Sequence, residues 1–156
     1  MAGAVDRFQE AARAAGIDVE VRRYPAGTKT AVDAARAVGC EIGQIVKSLV
    51  FVADGRPFLA LTSGPNLADP ERLAVLMEAA GVRRATPEEA RGATGFAIGG
   101  TPPFGHSTQL PILIDRDLCR FDLLWAAAGA PDAVFPIRAD ALVRASGGRV
   151  ADFKQT

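Results

Sequence analysis

Ile45-Val46-Lys47-Ser48-Leu49-Val50-Phe51-Val52 is followed by Asp54-Gly55 and then by Pro57-Phe58-Leu59-Ala60-Leu61. Two strand-like apolar runs, the first rich in β-branched residues, around an Asp-Gly pair are the strongest hairpin signal in the chain, because the favoured two-residue hairpin turn needs positive φ at both central positions. A strand alternates its faces, so Lys47, Leu49 and Phe51 share one side, and Val46, Ser48, Val50 and Val52 share the other. An ammonium beside Leu49 and Phe51 either snorkels at the end of the strand or stands in a pocket. The commoner fate of such a lysine is a solvated place near a sheet edge.

Working outward, Val5, Phe8, Ala11, Ala12 and Ala15 fall on a helical period, and Gly16 follows as a stop. Ile17, Val19 and Val21 then alternate with polar residues, which predicts a half-buried strand reaching Tyr24 and ended by Pro25. Thr30 with Asp33 resembles a capping box for a short helix closing at Gly39. Past the hairpin, Asp69-Pro70-Glu71 opens a helix that Gly81 should stop, and Thr86-Pro87-Glu88-Glu89 opens another ending near Gly92. Leu110 to Ile114 reads as a strand. Phe121 to Ala128 is ambiguous by period alone, Gly129 to Asp132 reads as a turn into a strand at Val134-Phe135, and Ala139 to Ala145 as a last helix before a strand near Val150. Strands and helices come without a steady βαβ beat, so the expected class is α+β.

The 156 residues are expected to form one domain, 1–156. Eighteen basic residues against eighteen acidic ones exclude a protein held to nucleic acid by bulk positive charge. At 49% hydrophobic and 23% charged, the chain can bury a core and is not disordered. No apolar run approaches the roughly 18 residues of a membrane span, and the stretch Met1 to Arg7 lacks the apolar core of a secretory signal. Cys40 and Cys119 form no CxxC pair and read as reduced thiols of a cytoplasmic protein. With one histidine besides, soft metal ligands are too few for a structural zinc site.

Between Gly95 and Gly105 the composition changes sharply, with Gly99-Gly100-Thr101-Pro102-Pro103-Phe104-Gly105-His106 at its centre. Glycines let the backbone approach a ligand and prolines stiffen the turn, so such a loop can present amides to a carbonyl oxygen or a phosphate. No Gly-Lys-Ser/Thr follows, so it is not a P-loop; a rigid structural turn is the plain alternative. His106 and Ser107 are chain neighbours, which seldom meet in attack geometry. Neither cysteine has a basic cluster nearby to lower its pKa. Arg22-Arg23 and Arg83-Arg84 are the tight basic pairs; such pairs are usually solvated, though they can touch phosphates.

The lysine strand, the hairpin, the segment Gly95 to His106 and the strand Leu110-Pro111-Ile112-Leu113-Ile114-Asp115 together resemble the YbaK/ProX family, free-standing relatives of the editing domain inserted in bacterial prolyl-tRNA synthetases. The resemblance runs from about Val5 to Phe153, and the lysine and the glycine–proline loop, roughly fifty residues apart, make its specific pair. It implies a mixed, barrel-like β-sheet flanked by short helices. It also implies an aminoacyl-tRNA deacylase that hydrolyses the ester between a wrong amino acid and the tRNA 3′ adenosine.

The family's key lysine falls on Lys47, and its amide loop on Gly99 to Pro103, with Gly99 and Gly100 as catalytic backbone. Thr101, Pro102, Pro103, His106 and Tyr24 fall where substrate is sensed. Many relatives carry serine or alanine at position 102, and a histidine at 106 belongs to a subset only. Water attacks with help from the substrate's 2′-hydroxyl; no metal, cofactor or covalent intermediate is implied. The expected substrate is a small amino acid, alanine, serine, threonine or cysteine, on the acceptor end of tRNA, with a synthetase or elongation factor supplying further tRNA affinity and no membrane partner. Two other classes stand beside this one: a non-catalytic module that docks on tRNA or a synthetase through the same pocket, and a hydrolase of small esters using Ser107 or Cys119.

Overall fold

In the computed structural model, which describes residues 3–25, 27, 28 and 30–156, the hairpin is the spine of a mixed sheet. The elements are α1 (Ala4–Ala14), β1 (Arg22–Arg23), α2 (Ala31–Val38), β2 (Ile45–Ala53), β3 (Arg56–Ser63), α3 (Pro70–Leu76), β4 (Val82–Arg84), α4 (Pro87–Thr94), β5 (Ile112–Asp115), β6 (Leu123–Ala127), β7 (Ala133–Arg138), α5 (Ala139–Ser146) and β8 (Arg149–Ala151). Among the described residues this makes eight strands and five helices, the expected mixed sheet flanked by short helices. No helix among them is long and apolar enough to cross a membrane.

β2 and β3 pair antiparallel from Val46 opposite Ser63 to Ala53 opposite Arg56. Asp54 (φ 48°) and Gly55 (φ 84°) supply the left-handed pair that the tight turn demands. The order across the sheet is β1-β7-β6-β2-β3-β5-β8, and β4 joins separately on β2.

Several local expectations hold because short-range chemistry settles them. The Thr30 hydroxyl accepts from the Asp33 amide and caps α2; the Asp69 carboxylate caps α3 with Pro70 in its first turn; Thr86 and Glu89 form a full capping box on α4. The departures have tertiary causes. Ile17, Val19 and Val21 pack against the core as expected of a half-buried segment. Ladder pairing nevertheless begins only at Arg22, opposite Val134, where β7 comes within reach. α3 ends at Leu76 rather than running to Gly81, because the Asp54 carboxylate of the hairpin turn takes the Ala80 and Gly81 amides, each at 3.0 Å. α4 runs on to Thr94, beyond Gly92.

A large core cluster forms on the Val46 and Val50 side of β2 and includes Phe8, Phe96, Phe104 and Phe135. The rings of Phe8, Phe104 and Phe135 meet with centroids 4.9 to 6.0 Å apart. Fully burying a phenylalanine contributes about 1.5–3 kcal/mol, so Phe104 pins the glycine–proline loop to α1 and β7. A second cluster, including Phe51 and Phe58 with Leu49 packed against it, lies on the other side of the hairpin.

Candidate functional site

The sheet forks along β2. Its first two residues, Ile45 and Val46, pair parallel with Trp125 and Ala126 of β6. Its last three, Phe51 to Ala53, pair antiparallel with β4 on the same edge. The Ala85 amide, donating to the Val50 carbonyl at 3.0 Å, extends the second arm by one step. Between the arms, the edge of Lys47, Ser48 and Leu49 has no strand neighbour among the described residues. A cavity of about 310 Å³ fills this notch. Its walls are residues 45–50 of β2, Arg84 and Ala85, Trp125 to Ala127, Val134 of β7, Thr28, Thr30 and the α2 residues Ala31 and Ala34, Ala90 of α4, and Ile98, Gly99 and Thr101 of the loop.

Peptide groups two residues apart in a strand face the same way. Since the Val50 carbonyl points into the notch side, so do the amide and carbonyl of Ser48. The Ser48 hydroxyl is also buried and has no hydrogen-bond partner among the described residues. A buried orphan of this kind costs about 1–3 kcal/mol, which a bound polar group would relieve. Sequence reading passed over Ser48, although a hydroxyl between Val46 and Val50 on a core-facing side was a legible signal.

Lys47 is half-buried, and its ammonium donates to the Asn66 carbonyl at 2.6 Å. Burial, then the nearby Arg84 charge, pushes its pKa below the ordinary lysine value, while Asp115 opposes the shift. Asn66 is itself held: its amide nitrogen donates to Asp115 at 2.8 Å and to Asp117 at 2.9 Å. Lys154 grips Asp117 at 2.7 Å. Asp115 is fully buried and also accepts the amides of Ser63 and Asp117. An ammonium has three N–H donors, so the contact with Asn66 leaves two for other acceptors.

The loop is built by short tethers. Arg7 donates to the Gly95 carbonyl at 2.9 Å and lies over Phe96. The Thr101 hydroxyl and the Gly100 amide both close on the Ala97 carbonyl. Gly100 also presses on the backbone of Ala130, where a Cβ would come within 2.8 Å of the Ala130 Cα. The Gly100 amide is thus spent inside the turn. Among the described residues the amides of Gly99 and Thr101 have no partner, and both residues line the cavity.

The other expected site residues lie outside this cavity. Pro102 and Pro103 are buried behind the loop. His106 faces a separate groove with Phe104, Gly105 and Thr108. Tyr24 packs against the cluster of Ala34, Ala35, Ile45, Trp125 and Val134, behind one wall. Ser107 is exposed and does not line the cavity. Burial raises the pKa of both Cys40 and Cys119, the opposite of an activated thiol.

His106 holds the loop instead. Its Nε2 lies 2.7 Å from the Pro102 carbonyl, an acceptor only, so the ring must donate there. Burial pushes its pKa below the ordinary 6.5, and the bond to Pro102 only partly offsets that. A folded-state pKa below the unfolded one means the unfolded chain binds the proton first, so stability is full above the ordinary value and falls as the pH drops through it. Urea midpoints are therefore expected to fall on acidification below about 6.5, and His106→Gln to flatten that slope. Equal slopes in the two proteins would contradict this role.

Residues 25–145 match the aminoacyl-tRNA editing domain family. The chain belongs to it. A proline–tRNA ligase of Solidesulfovibrio magneticus is 33% identical over 108 residues, 69% of this editing domain but only 18% of the ligase. The chain thus spans less than a fifth of that curated relative. The uncharacterized protein YwhH of Bacillus subtilis is 24% identical over 76% of this chain and 75% of its own. A solved structure described as a proposed trans-editing enzyme for prolyl tRNA synthetase is 44% identical, covers 100% of this chain and 99% of its own, and superposes with a TM-score of 0.94.

Proposed function

We propose that this editing domain acts in trans as a deacylase, hydrolysing the ester that joins a small, wrongly attached amino acid to the 3′ adenosine of a tRNA. One observation carries the reading: Lys47 and the unspent amides of Gly99 and Thr101 belong to residues sharing one cavity, whose lining holds two cations and no carboxylate among the described residues. An aminoacyl ester is already reactive, so the protein needs to orient water and stabilise the oxyanion rather than supply a nucleophile. Loop amides and the remaining Lys47 donors do this electrostatically, and the substrate's 2′-hydroxyl assists the attacking water. Of the loop residues first expected to sense the side chain, Thr101 alone lines the cavity. The small lining side chains of Ala31, Ala34, Ala85, Ala90, Ala126 and Ala127 favour alanine, serine, threonine or cysteine. The absence of net charge suits an enzyme that grips only the acceptor end and relies on a synthetase or elongation factor for further affinity in the cytoplasm.

The test is hydrolysis of a panel of mischarged tRNAs. Esters of small amino acids should be cleaved at least about 10-fold faster than phenylalanyl esters, within the range that pocket size alone provides. Binding of tRNA without turnover of any ester would leave the chain a docking module instead.

A further inference from the structure

The basic pair Arg83-Arg84 is divided by the strand it sits on. Adjacent strand residues face opposite sides. Arg83 is locked to Glu89 by two bonds of 2.8 and 2.9 Å. Arg84 stands opposite Phe51 in the β2–β4 ladder, and its guanidinium lies over the Phe51 ring, 5.4 Å from the centroid. It therefore shares the face of Lys47. Among the described residues no carboxylate comes within ion-pair distance of Arg84, and none lines the cavity. Stacking on Phe51 holds the side chain while leaving the edges of the guanidinium, its hydrogen-bond donors, unoccupied. The two lining cations differ in situation: Lys47 is half-buried and tied to Asn66, whereas Arg84 is exposed.

We infer that Arg84 is a phosphate-binding residue that contacts the 5′-phosphate of the terminal adenosine while the ester lies deeper in the notch. The inference rests on the deacylase reading for the identity of the nucleotide. A fork of this kind matches a phosphate in geometry, and a planar arginine stacked on an aromatic ring loses little further freedom on binding.

The experiment compares binding of adenosine 5′-monophosphate and adenosine, by calorimetry or NMR titration. The protein is expected to prefer the phosphorylated ligand by about 3–10-fold, the range of an exposed charge-assisted contact. Arg84→Gln, which keeps a polar stem over Phe51, should bring the ratio to about one, and Arg84→Lys should restore part of it. Arg83→Gln, on the opposite face, should leave the ratio unchanged. With tRNA, the Arg84→Gln variant should lower the slope of log affinity against log salt by about 0.7, one single-strand phosphate contact. Equal affinity for the two ligands in the wild type, an unchanged ratio in Arg84→Gln, or an equal loss in Arg83→Gln would each overturn the inference. Because the assay measures binding, a failure of ester hydrolysis would sink the deacylase reading while leaving the phosphate contact standing.

Discussion

Replacing Lys47 with alanine is expected to slow hydrolysis of the cognate mischarged tRNA by about 10²–10³-fold, the usual loss for one oxyanion donor in a water-poor site. The residue is half-buried, so the variant should fold, and its melting temperature provides the control. Lys47→Met keeps most of the apolar stem beside Leu49 and should be as slow as the alanine variant, which separates charge from packing. Arginine should rescue poorly: its fork is bulkier than the compact ammonium that reaches Asn66 at 2.6 Å. A Lys47→Ala protein that cleaves at the wild-type rate would remove the lysine from the mechanism. A variant that loses activity only together with its fold would assign Lys47 a structural part.

The second large effect concerns stability. Asp115 accepts the Ser63 amide at 3.0 Å, the Asn66 side chain at 2.8 Å and the Asp117 amide at 2.9 Å, all without exposure of its own. Asp115→Ala would strand the buried Ser63 amide and weaken the part-buried Asn66 and Asp117 donors, at about 1–3 kcal/mol for each donor left unpaired, less whatever water can recover. A loss of about 3 kcal/mol or more is expected, a large share of the total stability of a domain this size. In a thermal melt it should appear as a drop of about 6–12 °C. Asp117→Ala, at a partly exposed position, should cost under about 1 kcal/mol. The consequence reaches the site, since Asn66 presents the carbonyl that holds Lys47. Chemical unfolding of both variants checks the order, and a loss below about 1 kcal/mol for Asp115→Ala would refute the account.

These two residues differ in how they could be read from the chain. Lys47 stood out because a charge inside a strand of Val46, Leu49, Val50 and Phe51 breaks the apolar pattern. Asp115 is only an acid at the end of a strand, and its importance depends on Ser63 and Asn66 arriving from about fifty positions away. The same difference runs through the loop. Its glycines and prolines marked it as special, yet composition cannot say which amides remain unspent. Packing against Ala130 and the turn onto Ala97 consume Gly100, and burial takes Pro102 and Pro103 away from the cavity. β4 was illegible for a simpler reason: three residues, two of them arginines, become a strand only because β2 offers an edge.

The amino-acid order by itself determined what neighbours within a few positions can settle: the Asp54-Gly55 hairpin, the caps at Thr30, Asp69 and Thr86, and the alternation that places Lys47 beside Leu49. Tertiary structure alone decided the fork of β2, the orphaned Ser48 hydroxyl, the separation of Arg84 from Arg83, and the chain of bonds behind Lys47. The physical reason is range. Turns and caps are satisfied by bonds over two to four residues, whereas a cavity is defined by what distant segments leave unfilled when each has met its own packing and hydrogen-bonding demands.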